Sequence, residues 1–184
     1  MLVKFHVPHN TPDSFGWLAK IFHWVIALLI ITLWIVGSLM GDMENSPTKF
    51  TIYGIHKATG IIVLTLAVLA FIWRATNAKP TLPAGIPAWQ KQAASVIKYA
   101  LYACMIAMPL SGWAMSSAAG YPVSIYGLFE IPALVAKDDT MKDFYKEIHE
   151  LIGNIILVLV GLHVAAVLKH HFINKDGVLR RMLP

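Results

Sequence analysis

One stretch limits the fold of this chain more than any other. Lys146 to His171 reads KEIHELIGNIILVLVGLHVAAVLKHH and holds four of the eight histidines. Between His149 and His163 the only charged residue is Glu150, and most of the rest are large aliphatics. About 20 apolar residues in an α-helix cross the hydrocarbon core of a bilayer, so the stretch predicts a membrane-spanning helix. His149 and His163 are fourteen residues apart. Fourteen steps of about 100° fall about 40° short of four full turns, so both imidazoles share one face, about 21 Å apart along the axis. One helix face thus offers a nitrogen ligand near each side of the membrane.

The whole chain extends this pattern. Of its 184 residues 57% are hydrophobic, above the roughly 45–50% of a soluble domain. The excess is gathered in four blocks, near residues 17–40, 50–73, 96–117 and 147–169. Each is long enough to span a bilayer. The expected fold is therefore all-α: a four-transmembrane-helix bundle, with residues 1–184 forming a single membrane domain. The first block starts too late and runs too long for a cleavable signal peptide, and no small-residue cleavage site follows it. Cys104 is the single cysteine. It excludes an internal disulfide, a C-x-x-C-H haem attachment and a four-cysteine iron–sulfur cluster.

The net charge of +5 would suit a nucleic-acid partner, but its distribution argues for a membrane instead. Residues 1–16, 74–95 and 169–184, with Lys20 and Lys98 at adjoining helix ends, hold ten Lys or Arg and two acids; the other side holds five Lys and eight acids. That asymmetry follows the positive-inside rule and puts both termini in the cytoplasm.

Local signals mark the boundaries. Thr11-Pro12-Asp13 reads as the start of the first helix, and Gly41 as its close. Gly37 and Ser38 are small enough to face another helix. Residues 42–49 make a short external turn. Pro80, Pro83 and Pro87 break the cytoplasmic connection. The third block holds no histidine, carries Pro109, and is assigned to packing, with Cys104 buried in it. A long external loop, 118–145, has aromatics suited to the membrane surface. Thr140-Met141-Lys142-Asp143 has the capping-box form and opens the fourth helix. His6 and His9 belong to a solvated tail.

Depth then sorts the remaining histidines. His23 lies about six residues inside the cytoplasmic end of the first helix, and His163 about seven inside that of the fourth. His56 and His149 each lie a few residues inside the external ends of their helices. Two depth-matched pairs result: His23 with His163, and His56 with His149. Zinc or copper would want a third or fourth ligand, which the inner level lacks. A porphyrin needs only two axial ligands and fills apolar space, so two bis-histidine b-type haems fit the count and the surroundings. Gly60, four residues after His56, would either leave room for a flat macrocycle or let another helix pack closely. Lys20 and Arg74 are candidate propionate partners for the inner haem and Lys57 for the outer. His170 and His171, at the cytoplasmic interface, read either as an exposed basic pair or as a quinone pocket and proton donor.

Several of these segments resemble one family. Phe22-His23-Trp24, Ile55-His56, His149-Glu150 and the run GLHVAAVLKHHFINKDGVLRRMLP from Gly161 to Pro184 are similar to the bacterial cytochrome b561 family, over nearly the whole chain. The resemblance implies a di-haem b cytochrome of the inner membrane, with His23, His56, His149 and His163 as axial ligands to iron. It implies superoxide oxidation at the external face and reduction of ubiquinone in the membrane. A second reading is an electron-transfer subunit that takes electrons from a periplasmic redox protein or dehydrogenase, for which the acidic external side would suit a basic partner. A third is a non-redox membrane scaffold. A reporter enzyme fused after Pro184 should be active only in the cytoplasm; activity confined to the external side would overturn the topology.

Overall fold

The computed structural model describes residues 8–81, 83 and 85–183. Among these, four long helices dominate: α1 (Trp17–Gly41), α2 (Pro47–Thr76), α3 (Ala88–Ala118) and α4 (Asp139–Leu168). Each is long and apolar enough to cross a membrane. Their large side chains point outward: Leu28 is 66% exposed, Leu39 65% and Val158 63%. In water such a surface would drive aggregation; against lipid tails it costs nothing. The residues buried between helices are mostly small, among them Ala58, Ala67, Ala70, Ala114 and Ala118, which let backbones approach closely.

The helices overrun the apolar blocks, because hydropathy marks what crosses the lipid while caps and prolines mark where a helix stops. α2 begins at Pro47, with the Ser46 hydroxyl accepting from Lys49 N at 3.2 Å, so Pro47 is its first residue and not part of a turn. α3 begins at Ala88, directly after Pro87, well before residue 96. α4 begins at Asp139, and its cap is the Asp138 carboxylate, which accepts from Thr140 N at 2.8 Å and Met141 N at 3.1 Å. The capping-box reading at Thr140 is thus displaced by an acid two residues earlier. Thr11 does not open α1 either. Its hydroxyl accepts from Ser14 N at 3.1 Å and closes a local turn, and α1 starts behind Gly16. Pro109 lies inside α3 without ending it, and Cys104 is half-buried rather than buried.

Close backbone contacts run from α1 to α2, α2 to α3 and α3 to α4. α4 meets α1 and α2 across a wider seam. One end of the bundle gathers the chain's start, the α2–α3 connection and the C-terminal tail. Thr81 N donates to Pro12 O at 2.8 Å, Asn10 Nδ2 to Ala78 O at 2.9 Å and Trp24 Nε1 to Met182 O at 2.8 Å. His9 is exposed but not free: its Nδ1 donates to Asn77 Oδ1 at 2.9 Å and its ring stacks on Trp73. His6 lies outside the described residues. This is the termini end.

The other end carries a two-stranded antiparallel hairpin within the 118–145 loop, β1 (Val123–Ile125) and β2 (Phe129–Ile131), with Ile125 opposite Phe129. Its turn needs positive φ at Tyr126 (51°) and Gly127 (78°), the geometry that matches strand twist. The Tyr126 hydroxyl is hydrogen-bonded to Thr59 Oγ1 at 2.7 Å, and Lys57 Nζ donates to Pro122 O at 3.0 Å and Ser116 Oγ at 3.1 Å. The hairpin is thereby fastened over α2. Beyond α4 the chain continues in a π-helical turn (Lys169–Asn174), reverses at Lys175 with φ 53°, and ends in a short 3-10 turn (Leu179–Arg181).

Gly16 is the tightest point of the termini end. A Cβ there would lie 2.2 Å from the Pro8 carbonyl oxygen and 2.6 Å from that of His9, both backbone atoms that cannot swing aside. Gly16→Ala is expected to release the segment before α1, seen as faster proteolysis around residues 8–16 in detergent while helical content stays intact.

Candidate functional site

Across the wide seam stand the four membrane histidines. At the termini end His23 on α1 faces His163 on α4, with ring centroids 6.2 Å apart. At the hairpin end His56 on α2 faces His149 on α4, with centroids 6.4 Å apart. The structure brings together these two pairs, both completed by one face of α4. An imidazole nitrogen sits about 2 Å from a first-row metal and its ring centre about 1 Å further back, so two axial imidazoles on one metal put their centroids about 6 Å apart. Both pairs have that separation. No group of three or more His, Cys, Asp or Glu that could hold a bare metal ion occurs among the described residues. Two facing nitrogens with nothing else fit a metal whose remaining ligands come from a macrocycle.

Each hairpin-end ring rests against a glycine. A Cβ on Gly37 of α1 would lie 3.3 Å from His56 Cε1, and one on Gly112 of α3 only 2.9 Å from His149 Cε1. Beside Gly60 nothing lies within 4 Å among the described residues, so no neighbouring helix packs closely on it. His149 is the best held of the four. Its Nδ1 lies 3.1 Å from Met108 O and 3.0 Å from Ser111 Oγ, and Ser111 Oγ itself donates to Met108 O at 2.7 Å. A carbonyl only accepts, so the proton is on Nδ1, and Nε2 keeps a free lone pair. The buried Nδ1 of His56 has no partner among the described residues. α3, assigned to packing for want of a histidine, therefore supplies the support for one. The signal it carries is a proline followed within three residues by Ser111-Gly112, at the depth of His149.

The other candidate residues divide. Lys20 is buried, at 8% exposure, and its Nζ donates to Leu183 O, so its charge is held at the termini end one turn from His23. Lys57 Nζ, at the hairpin end, donates only to neutral oxygens among the described residues. Arg74 lies over the Tyr99 ring, 5.8 Å from its centroid. His170 is not part of an exposed pair: its Nδ1 is hydrogen-bonded to the Asp176 carboxylate, both side chains half-buried. Burial opposes ionisation of Asp176, but hydrogen bonds from His170 and Val178 hold its carboxyl below the ordinary range. His171 lines a cleft of about 520 Å³ with Phe172, Lys175, Asp176, Gly177 and Arg180.

Two facing imidazole pairs in a four-helix membrane bundle agree with what sequence comparison finds. The family described as "Prokaryotic cytochrome b561" matches residues 14–184. The chain belongs to that family. It is therefore a multi-pass bacterial membrane protein and an electron-transferring b-type cytochrome. Among its curated relatives, "Cytochrome b561 homolog 2" of Escherichia coli is 32% identical over 95% of this chain and 93% of the relative. "Cytochrome b561 homolog 1" of the same organism is 32% identical over 88% and 92%. The "Probable superoxide oxidase CybB" of Yersinia pestis is 30% identical over 88% and 91%.

Adding a methyl group at the two glycines separates their roles. Gly112→Ala should destabilise the cytochrome by about 1–3 kcal/mol, the usual cost of overpacking. Gly37→Ala, with 0.4 Å more room, should cost less. Thermal unfolding in detergent reads both; equal stability of Gly112→Ala and wild type would contradict the close approach.

Proposed function

We propose that His23 and His163 are the axial ligands of one b haem and His56 and His149 those of a second, and that this cytochrome oxidises superoxide at the hairpin end and reduces ubiquinone within the bilayer. The observation that carries the reading is the pair of centroid separations, 6.2 and 6.4 Å, at two depths along one face of α4. Haem held by these four residues would supply single-electron transfer. The residues do the rest. α1, α2 and α4 hold the imidazoles in facing pairs, and the exposed aliphatic surface keeps the bundle in the lipid, where ubiquinone is dissolved. Lys57, bonded to neutral oxygens at the hairpin end, is a donor available to a small anion arriving there. Lys20 at the termini end, with Arg74 on that side, and Lys57 at the hairpin end supply cations for propionates.

The chemistry balances across the membrane. Two superoxide anions become two molecules of oxygen and release two electrons; one ubiquinone takes those electrons and two protons to become ubiquinol. The protons enter at the termini end, where His171 lines a water-facing cleft and His170 is paired with Asp176. The basic charge of that end supports a cytoplasmic location for it and for both termini. The name of the Yersinia relative supports superoxide as donor.

A second reading, delivery of electrons by a periplasmic redox protein, is favoured by the charge of the hairpin end. Lys142 pairs with Asp143 and Lys146 with Glu150. Asp42, Glu44, Glu130, Asp139 and Glu147 make no ion pair among the described residues. That face would suit a basic protein better than a free anion.

Stopped-flow mixing of the purified, oxidised protein with superoxide decides between the two. Rapid reduction seen in the visible band, reversed by a soluble ubiquinone analogue, is the expected result. A spectrum that superoxide leaves oxidised would overturn superoxide as donor and favour the partner protein. His56→Ala and His149→Ala should each lose about half of the bound haem, as should His23→Ala and His163→Ala; a full low-spin complement in any of them would refute its ligand role.

A further inference from the structure

We propose that Met108 and Ser111 of α3 set the direction of electron flow by making the hairpin-end iron the more reducing of the two. The inference rests on the axial-ligand reading above and concerns what surrounds those ligands. Of the four imidazoles, only His149 has a ring nitrogen engaged by protein acceptors among the described residues. Its Nδ1 proton is shared between the Met108 carbonyl at 3.1 Å and the Ser111 hydroxyl at 3.0 Å. Ser111 is buried and gives its own proton to Met108 O at 2.7 Å, which leaves an oxygen lone pair facing His149. Gly112 lets the ring come this near, since a Cβ there would stand 2.9 Å from Cε1. Across the seam His56 Nδ1 is buried without a partner among the described residues. Neither His23 nor His163 forms a hydrogen bond among the described residues.

Donation from Nδ1 shifts electron density toward Nε2 and makes the imidazole a stronger base. A more basic axial ligand favours ferric over ferrous iron and lowers the reduction potential. The supported ligand stands at the hairpin end and the unsupported pair at the termini end. With haem held at both ends, electron transfer from the hairpin end to the termini end would then run downhill. Ser111 is a positioning residue in this account: it touches the ligand and acts through it. A serine bonded to the carbonyl three residues back is common in helices, so the purely structural role is a real competitor, and it predicts no change in potential.

Potentiometric titration of the purified holoprotein, followed in the visible band, tests the proposal. In the wild type the lower-potential component should be the one missing from His56→Ala and retained in His23→Ala. Ser111→Ala should raise that component alone. Supporting partners of this kind are worth about tenfold or more, and tenfold for one electron is about 59 mV. Ser111→Thr keeps the hydroxyl and should stay near the wild-type value. The low-spin electron paramagnetic resonance signal of the same component should shift in Ser111→Ala and not in Ser111→Thr. A hairpin-end component with the higher potential overturns the proposal, as does a Ser111→Ala protein with both haems and both potentials unchanged. If Ser111→Ala loses its haem, the order of the wild-type potentials still decides. A wild-type protein without two low-spin haems would instead overturn the axial-ligand reading on which this one stands.

Discussion

The seam between α4 and the α1–α2 pair is the constraint on which the rest depends. Lipid offers no hydrogen bonds, so imidazoles placed in a membrane must be answered by the protein or by something the protein holds. Here four of them face one another in two pairs, at separations that side-chain packing alone does not explain. Helices brought together only by small residues would close the seam. It stays open because α4 takes its close contacts from α3, leaving its histidine face free.

That division of labour explains the asymmetry between the helices. α1, α2 and α4 each contribute imidazoles; α3 contributes none and is the neighbour that orients α4. Its segment from Met108 to Gly112 does so through a carbonyl, a hydroxyl and a missing side chain. A b-type cytochrome differs from a generic helical bundle in such details, since iron chemistry responds to the far side of the ligand ring as much as to the near side. The two ends of the bundle differ as well. One is sewn together by hydrogen bonds to backbone carbonyls of distant segments. The other is covered by a hairpin fastened to α2 through Thr59 and Lys57.

Much of this was legible in the residues. Four apolar blocks predicted four spanning helices, because burial in lipid requires an uninterrupted run that no soluble fold needs. The fourteen-residue spacing of His149 and His163 put both on one face, because helical periodicity is local. The boundaries were less legible. Asp138 capped α4 in place of Thr140, since its carboxylate accepts from the amides of Thr140 and Met141 and so starts the helix ahead of Thr140. Thr11 served a local turn, since the chain before α1 had to run back beneath the α2–α3 connection. The hairpin was hidden because three-residue strands carry too little alternation to be seen, and Tyr126 is not a residue that announces positive φ.

The sequence by itself determined the number of spans, the depth of each histidine and the family, because hydropathy and helical periodicity act within one segment and recur among relatives. Only the tertiary structure decided which helix supports which histidine. The bond from His149 to Met108 and Ser111 joins residues about forty positions apart, and it exists because α3 packs against α4 at one rotation and one height. The same holds for His170, which finds Asp176 only after a π-helical turn and a left-handed residue reverse the chain. Partners of that kind depend on how helices are turned toward each other, and no periodicity within a helix records it.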